Sequence, residues 1–281
     1  MRTMHLFAGA GGGLLADIIL GHTPIAAIEW DKNCCEVLRH RADDGWFPGL
    51  HVHECDVRLF DPSEYAGRVD CIAAGFPCQD ISAAGKGAGI DGERSGLYRE
   101  VMRAVDVVRP PFVLLENSPR IRTRGRHVVI ADLVARGYAW RDGILGAADV
   151  GAPHQRDRWW CVAANADGLR QLQPQGGIPD EWGRPHHCAA ATADALRARR
   201  ADGSWLTTPE TCADIRAAVD VGAGPELAPD RPTWFEAEPD VGRLVHGVAD
   251  DLVSGAVKAL GNGQVPIQAA AAWIALTGGI T

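Results

Sequence analysis

The stretch 69-VDCIAAGFPCQ-79 decides the architecture. Apart from Asp70, residues 69–74 are apolar with little alternation, the pattern of a strand covered on both faces. Gly75-Phe76-Pro77 breaks that run and leaves a thiol, Cys78, on a rigid turn at its end. The same phrase recurs in both directions. Upstream, residues 4–8 run into Gly9-Ala10-Gly11-Gly12-Gly13, and residues 14–20 then follow a helical pattern that Gly21 stops. Residues 25–28 end at Glu29-Trp30-Asp31 before a helix over 34–40, and residues 51–57 carry Asp56 near the end of a third strand. Downstream, Leu97, Val101, Val105 and Val108 recur at helical spacing up to Pro110-Pro111. Residues 112–115 then lead to Glu116-Asn117, residues 128–136 to a helix closed by Gly137, and residues 138–145 and 159–163 to two further strands. Strand–helix alternation predicts a parallel sheet covered by helices, with ligands at the carboxyl ends of its strands. The glycine loop, Glu29, Asp56, Cys78 and Glu116 all fall there.

The pattern breaks near residue 165. Residues 165–240 are rich in Ala, Gly, Pro, Arg and Asp with weak periodicity, and order returns at about 241, before Gly261-Asn262-Gly263 and an alanine-rich helix over 264–276. The expected division is a catalytic and cofactor-binding unit over 1–164, a small variable region over 165–240, and a segment over 241–281 that returns to the first unit. A net charge of −8 excludes a basic nucleic-acid arm, so any DNA contact needs local positive charge. The densest supply is Arg120, Arg122, Arg124, Arg126 and His127. Eight cysteines form no Cys-x-x-Cys pair, and no metal site is expected. Apolar runs fall short of a membrane span, and residues 1–7 run into a glycine loop rather than a signal-peptide core, so a cytoplasmic protein is expected.

Glycines at a strand–helix junction let backbone approach a ligand, and Gly9 and Gly11 open such a loop. Glu29 stands where a carboxylate meets ribose hydroxyls, Trp30 is placed to cover an adenine face, and Asp56 to accept from its exocyclic amine. The loop alone fits NAD or S-adenosylmethionine. A carboxylate buried at Glu116 would have a raised pKa, suited to donating a proton to a ring nitrogen. Arg156 and Arg158, two apart, would share one face of a strand. Residues 80–92 carry five glycines or serines and read as a lid.

Together these residues resemble the DNA (cytosine-5) methyltransferase family. FAGAGGG looks like its cofactor loop, AAIEWD and CDVR like its ribose and adenine segments, and GFPCQDIS like its catalytic loop. RSGLYREVMR, VLLENSPR, GAPHQRDRWWCVAA and ALGNGQVPIQAAAAW resemble its later motifs, in the family's order. The resemblance implies a Rossmann-like, S-adenosylmethionine-dependent α/β methyltransferase sheet with a small irregular target-recognition lobe. It implies methyl transfer from S-adenosyl-L-methionine to carbon-5 of a flipped-out cytosine in double-stranded DNA, with Cys78 as nucleophile, Glu116 at ring N3, Arg158 near O2, and Arg156 supporting a phosphate or Glu116. It adds Phe7, Leu97 and Asn262 to the cofactor site and Gln79 and Ser82, with Arg120, Arg122 and Arg124, to the DNA surface. A monomer in a bacterial cell or phage-infected host is the expected setting, with a cognate restriction endonuclease as a companion that is not physically required. Two departures are His154, where the arginine motif usually has Gln, and the extra residue in Gly-Asn-Gly-Gln-Val. A tRNA methyltransferase, a non-catalytic DNA-binding relative and a nicotinamide-dependent dehydrogenase remain alternatives.

Overall fold

The central strands of the sheet are buried on both sides, so the sheet needs cover above and below. In the computed structural model, which describes residues 1–77, 96–152, 154–172 and 263–277, helices supply it. The strands are β1 (Arg2–Leu6), β2 (Thr23–Glu29), β3 (His51–Glu54), β4 (Cys71–Gly75), β5 (Phe112–Asn117), β6 (Ala139–Leu145) and β7 (Arg158–Ala164). They form one sheet in the order β3-β2-β1-β4-β5-β7-β6. The first five run parallel; β7 lies antiparallel between β5 and β6. The predicted α/β sheet is borne out, with this one reversal. The chain moves outward from β1 in one direction, then resumes at β4 in the other, and that switch opens a crevice at the carboxyl ends of β1 and β4.

Side-chain alternation along each strand divides the core in two. Met4, Leu6, Ile72, Ala74, Val113 and Leu115 pack beneath α3 (Gly96–Val108) and α5 (Arg126–Ala135). Cys71, Ala73, Phe112 and Leu114 face α1 (Gly12–Ile19) and the C-terminal helix, here α7 (Pro266–Thr277). Between them in sequence lie α2 (Lys32–Asp43), the single turn α4 (Ile121–Arg124) and α6 (Ala166–Gln171). Asp31 caps α2 by accepting from the Asn33 and Cys34 amides, and Asn165 caps α6 in the same way through Asp167 and Gly168. Leu172 is buried in the lower core, so packed structure continues to that residue. In α7, Ala269, Ala270, Ala271 and Ala272 are buried against α1 and the sheet, and Trp273 sets its edge on Phe112 with 5.5 Å between ring centroids. Short side chains let these two helices approach closely.

Two polar clusters lie inside this apolar frame. Thr3 and His5, two apart on β1, point to the same side and meet Asp17 of α1. Asp17 Oδ2 accepts from Thr3 Oγ1 at 2.5 Å and lies 2.6 Å from His5 Nε2, while His22 Nδ1 stands 3.5 Å from Oδ1. Burial alone would raise the Asp17 pKa; the charge of His5 and hydrogen bonds from His22, His5 and Thr3 overcome it and hold the carboxyl down at about 2. In the second cluster, buried Asp142 on β6 accepts from Arg126 Nη2 at 2.7 Å and from Trp159 Nε1 at 2.6 Å. The Arg126 guanidinium lies 4.9 Å from the centroid of Trp140. Arg126 is therefore half-buried and engaged by Asp142 and Trp140, unlike the exposed Arg120, Arg122 and Arg124 of the same basic stretch.

Candidate active site

Parallel strands deliver their carboxyl ends to one rim, and each carries a different chemistry there. β1 hands over to Phe7, in the left-handed region at φ 59°, and then to the glycine loop. Gly9 and Gly11 adopt φ 54° and 97°, which side chains rarely tolerate. A Cβ at Gly9 would meet no described atom within 4 Å, so the loop has an open side. Beneath it Glu29, buried at the end of β2, accepts from Gly9 N at 2.8 Å and from the Trp30 and Asp31 amides at 2.9 Å. The carboxylate fixes the loop's position relative to β2. Trp30 next to it is 74% exposed, an aromatic face offered to the crevice mouth.

Asp56 departs from its sequence reading. It does not end a strand; it caps a 3-10 turn over Val57–Leu59 and holds the Arg58 amide at 2.9 Å and the Arg58 guanidinium Nε at 3.0 Å. The hydrogen bonds from Arg58 keep its carboxyl below the ordinary range. Leu97 opens α3 half-buried against the upper core.

At the centre of the rim, β4 and β5 lie in register with Ala74 beside Leu115 and Gly75 beside Glu116. Glu116 is 9% exposed. The antiparallel course of β7 starts that strand at the same rim, which brings Arg158 Nε to 2.9 Å from Glu116 Oε1. Arg156 precedes the strand rather than sharing its face, and its Nη2 donates to Gly263 O at 2.5 Å. Burial raises the Glu116 pKa; the charges of Arg158 and Arg156 and a hydrogen bond from Gln264 pull it back, and the net shift is upward. Burial and the neighbouring charge of Arg158 lower that of Arg156. One cavity is lined by His5, Phe7 and Gly9 on the loop side and by Gly75, Glu116 and Gln264 on the other, so the loop and the carboxyl face a common space.

Cys78, Gln79, Ser82 and Asn262 lie outside the described residues, as do most of 165–240. The approach to Cys78 is firmly held. Phe76 is buried and packs on Tyr98 at 5.1 Å, and its carbonyl accepts from Asn117 Nδ2 at 3.0 Å. The Asn of the Glu-Asn pair thus ties the turn on β4 to the end of β5, a role that sequence reasoning did not assign. Arg120, Arg122 and Arg124 are exposed on and beside α4. Gln264 and Gln268 were also missed. Gln268 Nε2 donates to Leu145 O and Arg156 O, both at 2.7 Å, and so fastens α7 to the arginine segment.

Among the described residues no group of three metal-ligating side chains occurs, and no helix is long and apolar enough to cross a membrane. The family model described as C-5 cytosine-specific DNA methylase matches residues 1–187. The chain is 34% identical over 168 residues to the type II methyltransferase M.CviJI of Paramecium bursaria Chlorella virus IL3A, covering 59% of this chain and 44% of that one. It is 33% identical to the type II methyltransferases M.NgoBI of Neisseria gonorrhoeae, covering 63% and 57%, and M2.BsuMI of Bacillus subtilis (strain 168), covering 66% and 48%. It spans about half the length of these curated relatives.

Proposed function

The chain belongs to the C-5 cytosine-specific DNA methylase family, and from that premise we propose that it methylates carbon-5 of cytosine in double-stranded DNA, using S-adenosylmethionine. The observation that carries this reading is the pairing at the rim. A buried carboxyl, Glu116, stands beside Gly75, and its neighbour Asn117 grips the turn that leads to Cys78. On this reading the acid and the turn leading to the nucleophile stand at the ends of adjacent strands.

The residues of the first loop suit the cofactor. A Cβ on Gly9 would meet no described atom, Glu29 lies beneath with one backbone amide on its Oε2 and two on its Oε1, leaving Oε2 the less engaged acceptor, and Trp30 presents an exposed ring for an adenine. When bound there, the cofactor would supply an electrophilic methyl group on sulfur. Phe7 and Leu97 would line its site, with Asn262 from the C-terminal segment; Asp56, engaged by Arg58, would contribute at its edge.

The protein's part begins with a base taken out of the helix, since carbon-5 and carbon-6 are shielded inside a duplex; extrusion costs roughly a few kcal/mol. Arg120, Arg122 and Arg124 would hold phosphates, and Gln79 and Ser82 would close on the backbone. The Cys78 thiolate adds to carbon-6 and turns an inert ring into an enamine whose carbon-5 is nucleophilic. Glu116, whose hold on a proton burial strengthens, donates to N3 and stabilises the charge that develops there. Arg158 exchanges its carboxyl contact for the base O2, and Arg156 supports the carboxyl from behind. After methyl transfer, the carbon-5 proton passes to water, the N3 proton returns to the Glu116 carboxylate, and expulsion of the Cys78 thiolate restores aromaticity.

A duplex with 5-fluorocytosine at the target position tests the reading, because fluorine blocks the last elimination and traps the adduct. The native chain should form a denaturation-resistant complex only with S-adenosylmethionine present, and Cys78→Ser should form none while still binding the cofactor. Methyl transfer by Cys78→Ser, or transfer to tRNA in preference to duplex DNA, would refute the assignment.

A further inference from the structure

We propose that Gln264 is the positioning residue that seats the Glu116 carboxyl, its side-chain amide lying in a slot that exists because residues 13 and 75 have no side chains. The inference rests on Glu116 acting at the base as described above.

Three glycines from two distant elements make room for one glutamine. A Cβ on Gly12 would stand 2.1 Å from the Gln264 carbonyl oxygen. A Cβ on Gly13 would stand 2.6 Å from Gln264 Oε1 and 2.9 Å from His5 Nδ1. A Cβ on Gly75 would stand 2.9 Å from Glu116 Oε2 and 3.2 Å from Gln264 Nε2. The first contact fixes the backbone of Gln264 against α1, and the other two fix the opposite ends of its amide. The segment cannot drift, because Arg156 holds Gly263 O and Gln268 ties the following helix to Leu145 and Arg156.

The chemical consequence concerns which oxygen carries the proton. Arg158 Nε addresses Oε1, and the Gln264 amide reaches the carboxyl from the Oε2 side with a hydrogen bond. An oxygen that accepts from an amide N–H keeps its lone pair engaged, so the acidic proton is directed to Oε1. That is the oxygen Arg158 vacates when a base enters. Gln264 therefore sets the plane and the proton of the acid without touching the base. Among the described residues, the groups facing Glu116 are Arg158 from β7, Arg156 from the segment before it, His5 from β1 across Gly13, and Gln264; β4 presents only Gly75.

The test is single-turnover methyl transfer to duplex DNA as a function of pH, for the native chain, Glu116→Gln, Gln264→Leu, Gln264→Glu and Gly75→Ala. Removing a donor to a carboxylate raises its pKa, so in Gln264→Leu the loss of rate at high pH should move to higher pH. The plateau rate below that limb, where the acid is protonated in both proteins, should fall roughly tenfold because the carboxyl is no longer held in orientation. DNA affinity should be unchanged. Gln264→Glu should move the limb further, since it sets a carboxylate against a carboxylate. Gly75→Ala displaces both atoms while keeping Gln264, and should reproduce the Leu phenotype even if a Gln264 variant fails to fold. If Glu116→Gln is inactive while Gln264→Leu and Gly75→Ala keep the native rate and profile, Gln264 only packs and the proposal is overturned. A fully active Glu116→Gln would instead remove the function on which it rests.

Discussion

Gly12→Ala sets two quantities of opposite sign against each other. Gly12 is the first residue of α1. By helix propensity alone the change should stabilise the chain by up to about 1 kcal/mol. Packing predicts the reverse. The new methyl carbon would lie 2.1 Å from the Gln264 carbonyl oxygen, 3.0 Å from its carbon and 3.2 Å from its nitrogen. All three are main-chain atoms, so no rotamer change relieves them. The segment must retreat by about 1 Å or more, against the two hydrogen bonds of Gln268 and the buried faces of Ala269, Ala270 and Trp273. Overpacking of this kind costs about 1–3 kcal/mol, and more where rigid backbone is displaced. The net expectation is a loss of about 2–3 kcal/mol. For a chain of this size each kcal/mol lowers Tm by about 2–4 °C, so Tm should fall by roughly 4–12 °C. Circular-dichroism melting and urea unfolding measure it, with the midpoint shifted and the slope unchanged. Gly96→Ala is the control: it opens α3, meets no described atom within 4 Å, and should be neutral or slightly stabilising. A Gly12→Ala protein that melts at or above the native temperature would refute the packing argument.

Three further outcomes are expected. Asp17 has a folded pKa of about 2 against an ordinary 3.8, so it contributes about 2 kcal/mol that is fully present above pH 4 and lost as pH falls through 2; urea titrations should show that acid loss in the native chain and its absence in Asp17→Asn, and parallel curves would contradict it. Asp142→Ala takes a buried acceptor from the Arg126 guanidinium and the Trp159 indole and should cost about 3 kcal/mol in urea unfolding, whereas a change below 1 kcal/mol would show the pair to be dispensable. Replacing Arg120, Arg122 and Arg124 together by Ala should weaken DNA binding and flatten its salt dependence by about three units of log–log slope, while Arg126→Ala should lower Tm and leave that slope in place; the opposite assignment would follow if Arg126→Ala flattened the salt slope.

Apolar runs ending in turn residues made β4 and β5 legible, because a strand covered on both faces has no polar side chain to disguise it. The rim residues were legible for the same reason, each being the first polar group after such a run. Asp56 was misplaced because a 3-10 turn begins where the strand was expected to continue, and a capping Asp reads in sequence like any strand-end acid. Arg126 looked like its neighbours Arg122 and Arg124; only the fold brings Asp142 and Trp140 to it. Thr3 and His5 carried a usable signal, two polar residues at strand spacing inside an apolar run, but their partner Asp17 comes from a helix. Gln264 carried none. Its place depends on missing side chains at Gly12, Gly13 and Gly75, and sequence shows a glycine without showing what fills the space beside it.

The reversed direction of β7 has a consequence for how such a site can be altered. A seven-residue strand spans roughly 23 Å. Had β7 run with its neighbours, its first residue would have emerged at the far edge of the sheet, and bringing a guanidinium to Glu116 would have needed a helical crossover. Entering from the near edge, the polypeptide needs only the short bend after β6. The positions of Arg156 and Arg158 are therefore set by that bend, so a substitution in it would reach Glu116 without first disturbing the layers of the sheet.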